Sequence, residues 1–128
     1  RQLSIQPPMV KIDVTTEYLP DAPTDGEDKY AFAYRIVIRN ISSQQVKLLN
    51  RFWLITDANG KKTEVRGPGV VGEQPVIEAG KSYRYTSGAI LDTPMGVMEG
   101  HYEMEMTSGE TFLAPLSPFT LTVPNLIN

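Results

Sequence analysis

Tyr30-Ala31-Phe32-Ala33-Tyr34-Arg35-Ile36-Val37-Ile38-Arg39 decides the fold. Its large apolar residues, Tyr30, Phe32, Tyr34, Ile36 and Ile38, fall on every second position. A helix would scatter them around its circumference, whereas a strand places them on one face. Aromatic and β-branched side chains also suit a pleated, half-buried surface.

The same period appears on either side. Val10, Ile12 and Val14 alternate with Lys11, Asp13 and Thr15. Tyr102, Met104 and Met106 alternate with Glu103, Glu105 and Thr107, and Phe119, Leu121 and Val123 with Thr120 and Thr122. Val46–Thr56 is more continuously apolar, as a central strand is, and Asn50 and Arg51 interrupt it at an expected bulge. Tyr83 and Tyr85 mark a further strand. Trp53 reads as a core anchor, with Arg51 on its face as a stacking or cation–π partner.

Turn chemistry separates these segments. Asp57-Ala58-Asn59-Gly60, Glu78-Ala79-Gly80-Lys81 and Thr107-Ser108-Gly109-Glu110 offer residues that tolerate positive φ. Ten Pro and ten Gly in 128 residues leave no room for a long helix. Leu19–Asp28 and Gly88–Gly100 read as loops. The expected architecture is therefore one all-β domain over residues 1–128, a sandwich or barrel of short strands.

Composition bounds the chemistry. Net charge is -3, which gives no global pull toward nucleic acid or anionic lipid. With no cysteine, disulfides, thiolate catalysis and Cys-ligated zinc are excluded. No apolar run approaches the roughly 20 residues of a membrane span. Arg1–Val10 has no signal-peptide core. The expectation is a cytoplasmic protein without membrane insertion or nucleic-acid partner.

Gly67-Pro68-Gly69-Val70-Val71-Gly72 matches G-x-G-x-x-G. In a dinucleotide-binding fold this pattern follows a strand and opens a helix that receives the pyrophosphate. Thr63 and Val65 supply a strand before it, but Pro75 and Gly80 leave no room for the helix. Three readings remain open. The glycines serve a tight turn; or exposed Val70 and Val71 form a sticky tip that meets a partner; or successive N–H groups cradle a phosphate or carboxylate beside Arg66.

The remaining candidates are weaker. His101 is the single histidine, so neither a multi-His metal site nor a His-dependent triad with a second candidate base is available. Glu103 and Glu105 read as an acidic sheet face and Leu19–Asp28 as an acidic loop, with weak divalent-cation contact as the alternative at each. No catalytic residue, metal ligand or cofactor is expected.

Longer blocks carry a family likeness. Phe32–Asn40, Leu48–Gly60, Val65–Pro75, Tyr85–Gly88 and Leu91–Tyr102 follow one another in an order that resembles the ApaG (CorD) family of small bacterial proteins. The resemblance implies a fibronectin type III-like, immunoglobulin-like β-sandwich of about seven or eight mostly antiparallel strands. It implies no established enzymatic activity. It brings an association with cobalt and magnesium efflux or resistance, and genes lying near a diadenosine tetraphosphate hydrolase. Similar domains inside a eukaryotic F-box protein and a DNA-polymerase-delta-interacting protein imply protein recognition. The family's glycine motif maps onto Gly67, Gly69 and Gly72.

Function is therefore expected to be binding. The contact surface is expected at Arg66, Gly67, Gly69, Val70, Val71 and Gly72 with a neighbouring strand edge that accepts a partner strand. A protein partner leads. A nucleotide or polyphosphate bound by the Gly67–Gly72 loop is the alternative, and direct Mg²⁺ or Co²⁺ binding a further one. Self-association stays open.

Overall fold

The computed structural model describes residues 9–24, 26 and 28–124. They form eight strands: β1 (Val10–Tyr18), β2 (Tyr30–Asn40), β3 (Val46–Asp57), β4 (Lys62–Pro68), β5 (Val76–Ile77), β6 (Ser82–Leu91), β7 (Met95–Met106) and β8 (Thr111–Thr122). All pairings are antiparallel. One sheet has the order β1-β2-β6 and the other β4-β3-β7-β8, with β5 also paired to β3. This is the sandwich arrangement that the alternating segments and the fibronectin type III-like expectation call for. Among the described residues no helix is long and apolar enough to cross a membrane.

The period-two pattern builds the core. Phe32, Tyr34, Ile36 and Ile38 of β2 are all buried. They meet Leu48 and Trp53 of β3, Met98, Tyr102 and Met104 of β7, and Leu116 and Leu121 of β8. Trp53 is the hub, edge-on to Tyr34, Tyr102 and Phe119 at 5.6, 6.2 and 5.8 Å. Burying an aromatic or large aliphatic side chain of this kind contributes roughly 1.5–3 kcal/mol.

Asn40 is a buried polar residue at the point where the chain leaves the first sheet for the second. Its amide donates to the Gln44 and Ile77 carbonyls, and its oxygen accepts from the Ser42 N–H and hydroxyl. Full satisfaction is what allows a buried amide to remain there.

Two readings are corrected. Gly88–Gly100 is not a loop: β6 runs to Leu91, β7 starts at Met95, and Asp92–Pro94 alone cross between the sheets. Two of its glycines serve close backbone approach. A Cβ on Gly100 would lie 1.9 Å from the Phe52 carbonyl oxygen, and one on Gly96 2.9 Å from that of Thr56. Glu78–Lys81 turns the chain from β5 in one sheet to β6 in the other and joins no hairpin. A bulge is present one residue before the expected Asn50 and Arg51, at Leu49, where the β3–β7 register shifts between Leu48 and Asn50.

Candidate functional site

The glycine motif begins inside a strand. β4 carries Arg66 and Gly67 before ending at Pro68. Gly67 stands opposite Arg51 of β3, and a Cβ there would lie 3.0 Å from the Arg51 guanidinium. That guanidinium donates to the Pro68 and Gly69 carbonyls at 3.1 and 2.9 Å. The bulge at Leu49 supplies the other anchor, its carbonyl accepting from the Gly69 N–H and the Gln74 amide.

Beyond this anchor the chain makes a two-residue turn. The Val70 N–H donates to the Glu73 carbonyl, and the Glu73 N–H donates back to Val70. The central residues, Val71 and Gly72, have φ of 49° and 79°. Positive φ at both centres marks a mirror-image hairpin turn, which Asn-Gly suits and a β-branched residue resists. Gly69 has φ 60°, and a Cβ on it would lie 2.1 Å from the Glu73 carbonyl oxygen.

The expectation that Val70 and Val71 are both exposed is corrected. Val70 is 1% exposed and belongs to the core, while Val71 is 63% exposed. The tight turn rotates successive side chains to opposite sides, so one is swallowed and one projects. The Gly69 and Val70 N–H groups are already spent on protein carbonyls. Within Gly67–Gly72, the donors closest to a free nest are thus at the tip, at Val71 and Gly72.

Arg66 points elsewhere, to the outer face of the second sheet. The β3–β4, β3–β7 and β7–β8 registers set up two adjacent rungs there: Arg66, Phe52, His101 and Pro115, then Pro68, Asn50, Glu103 and Leu113. The Arg66 guanidinium lies 4.3 Å from the Phe52 ring centre, and His101 stacks on Phe52 at 5.1 Å with 29° between planes. Asn50 donates to Glu103 at 2.7 Å. Leu113 is 60% exposed. With Arg51 and Gly67, the residues of these two rungs other than Pro115 line an open concavity of about 510 Å³.

The cation–π pair is therefore Arg66 with Phe52, and not Arg51 with Trp53. Arg51 and Trp53 do share a face, but Arg51 turns its guanidinium to the carbonyls of the glycine loop. Neither Phe52 nor Leu113 stands out in the sequence as a surface residue, and Asn50 reads there only as part of a bulge. The available signal was large apolar residues at outward positions, Phe52 beside inward Trp53 and Leu113 between Phe112 and Ala114.

Behind the loop, on the inner side, the Tyr85 and Tyr102 hydroxyls form a hydrogen-bonded pair. Burial holds both phenols well above the ordinary tyrosine pKa. The hydrogen bond to Tyr102 and the nearby Arg51 oppose the rise at Tyr85. Tyr83 is also raised, first by loss of solvent and then by Glu73, to which its hydroxyl donates at 3.5 Å.

The other candidate groups are scattered. Glu103 is tied to Asn50, and Glu105 stands opposite Lys47. Asp25 and Glu27 of the acidic loop lie outside the described residues. Asp92, held below the ordinary carboxylate range by hydrogen bonds from Lys29 and Lys61, is a surface ion-pair centre. Among the described residues no three His, Cys, Asp or Glu side chains converge as a metal site. Nor does a hydroxyl hydrogen-bond to His101 among them, as a serine- or threonine-based nucleophile would. A larger groove of about 600 Å³ opens between β1 and β8 around Ile12, Val14, Phe112 and Phe119, away from the glycine motif.

Two antiparallel sheets packed on one core define a β-sandwich domain, and its arginine- and aromatic-bearing outer face beside the pinned glycine loop is the candidate site. The ApaG domain matches residues 20–106, and the chain belongs to the ApaG family. Protein ApaG of Photobacterium profundum is 50% identical over 122 residues, covering 95% of this chain and 96% of its own. Protein ApaG of Proteus mirabilis is 53% identical over 119 residues, covering 93% and 95%. Two solved structures share the fold along nearly the whole chain. Structural genomics target SoR45 superposes with a TM-score of 0.88 at 49% identity, covering 93% of this chain and 90% of that one. The putative ApaA protein of Bordetella pertussis gives 0.87 at 37%, covering 95% and 99%.

Proposed function

We propose that this domain is a non-enzymatic binding module that recognises a protein partner. The observation that supports it is the outer face of the second sheet, where Arg66, Phe52 and His101 are already stacked and Leu113 stands exposed beside them. Pre-assembled arginine and aromatic side chains next to exposed aliphatics are the composition of an interface centre. Stacking in the free protein reduces the rotamer entropy that binding would otherwise cost. Val71 adds a projecting apolar contact at the loop tip, and Arg51 holds the loop that presents it.

Any part in cobalt or magnesium efflux is then indirect, through contact with a transport or regulatory protein. Cobalt favours nitrogen ligands, of which this chain has one imidazole. The compartment we assign is the cytoplasm, with which the absence of cysteine agrees.

The test is a photo-crosslinking residue at position 113 or 71, activated in cells of the source organism. The expected result is one discrete protein adduct from both positions, reduced about tenfold by Phe52→Ala, since hot-spot truncation costs about 1.4 kcal/mol or more. Absence of any discrete adduct from both positions would overturn the proposal.

A further inference from the structure

Among the described residues the two sheets leave four edges, one of them shared by β4 and the two-residue β5, and they are not equally guarded. β8 carries Pro115 and Pro118, and its register with β7 shifts between Met98 and Gly100. β4 is short, carries Lys62, Glu64 and Arg66, and ends on Pro68. β1 carries Lys11, Asp13 and Glu17. Prolines, bulges and charges are the devices by which edges avoid pairing with other chains.

β6 has almost none of them. It is ten residues long without proline, it pairs with β2 in unbroken register from Ser82 to Leu91, and Arg84 is its single charge. Its hydrogen-bonding side follows from the neighbouring turn. The Asn40 N–H donates to the Lys81 carbonyl, so the even-numbered residues of β2 face β6. In an antiparallel ladder the bonded partners are then Tyr83, Tyr85, Ser87 and Ala89. Ser82, Arg84, Thr86, Gly88 and Ile90 therefore turn their N–H and carbonyl groups to the free edge, and all five are exposed.

The charge beside this edge runs against that of the whole chain. Arg39 of β2 stands opposite Ser82, which makes it the diagonal neighbour of Arg84 on the outer face. Arg35 is paired with Glu17, but neither Arg39 nor Arg84 has an ion-pair partner among the described residues. Neither β2 nor β6 contains a carboxylate; Asp13 of β1 stands diagonal to Arg39 on the side away from the edge, and Glu73 accepts from the Tyr83 hydroxyl. The carboxylates flanking β6 in sequence, Glu78 and Asp92, lie beyond its ends, and Asp92 is already held by two lysines.

We propose that β6 is the acceptor edge of this module and takes an extended strand of a partner protein with carboxylates at alternate positions. The partner's backbone completes the ladder along Arg84, Thr86 and Gly88, and its outward carboxylates meet Arg84 and Arg39. The inference rests on the binding-module reading and names the partner's local chemistry. A second copy fits less well, since β6 paired with its own mate would bring two Arg39–Arg84 pairs together without a carboxylate. The edge lies next to the glycine loop, to which Tyr83 is tied through Glu73.

The test uses a blocked eight-residue peptide of alternating Val and Glu, its Val and Lys counterpart, and ¹⁵N-labelled protein. The acidic peptide is expected to give saturable shifts and at least tenfold slower hydrogen exchange at the Arg84, Thr86 and Gly88 N–H groups. Tyr85 and Ser87, bonded to β2 already, should not slow. The Lys peptide should bind about tenfold more weakly, and Arg84→Glu should invert that order. Thr86→Pro removes an outward donor without touching the β2 ladder and should abolish binding. Methylating alternate peptide nitrogens does the same from the other side and leaves the protein intact.

No slowing at these amides with millimolar acidic peptide would overturn the proposal, as would equal binding of both peptides. Protection that grows with protein concentration alone would overturn it in favour of self-pairing. A crosslinked adduct from position 113 that persists undiminished in Thr86→Pro would leave the binding module standing and remove the edge from it.

Discussion

Val70 and Val71 are identical neighbours with opposite fates. Val70 is pinned by two backbone hydrogen bonds and enters the core behind the glycine loop. Val71, one residue on, sits at a positive φ in solvent. The core side of the loop has nearly every group satisfied: Arg51 on two carbonyls, Leu49 on an amide and an N–H, Tyr85 on Tyr102. The outer side keeps a strained valine and an exposed leucine. Stability is thus concentrated on one side of the loop, and exposed apolar surface on the other.

The sharpest way to break this contrast is Gly69→Ala. The new Cβ would overlap the Glu73 carbonyl at a left-handed φ, so we expect a loss on the order of 3–4 kcal/mol, read by urea unfolding. Loss below about 1 kcal/mol would mean that the loop is not pinned. Val70→Ala comes next, at about 2–3 kcal/mol for two buried methyl groups and the cavity they leave. The same substitution at Val71 should cost almost nothing.

The buried tyrosine pair gives a smaller and pH-dependent effect. Folding raises both phenol pKa values above the unfolded value near 10. Their contribution is complete below pH 10 and is lost as pH climbs above it, because the unfolded chain gives up protons that the folded chain retains. Wild type should therefore destabilise by about 1.4 kcal/mol per pH unit per phenol above pH 10. Tyr85→Phe should flatten that slope; an unchanged slope would show that Tyr85 ionises freely in the fold. Smallest and opposite in sign is Val71→Asn. Asparagine tolerates the left-handed turn, so stability should rise by about 0.5–1 kcal/mol, while crosslinking from position 113 falls as the apolar tip is lost. A fall in melting temperature would show that Val71 is not strained.

Legibility in the sequence followed the length of the pattern. Tyr30–Arg39 reports its own structure because five alternating residues address one face, and no helix accommodates them. Gly88–Gly100 did not, since its glycines serve contacts with Thr56 and Phe52, more than thirty residues away in the chain. Glycine at a close approach and glycine in a loop look alike without the neighbour. Arg66 was legible as a cation beside a glycine motif, but its partner Phe52, and the His101 stacked on Phe52, come from other strands, joined only by register.

Local patterning alone determined that this chain is an all-β sandwich or barrel of short strands with turns at Asn59-Gly60 and Ser108-Gly109, because strand period and turn chemistry are carried by adjacent residues. Tertiary structure decided which valine is buried, which arginine meets which ring, and which strand is left with an open edge. Those outcomes depend on sheet order and register, which pair residues far apart in the chain and leave no periodic trace within any one segment.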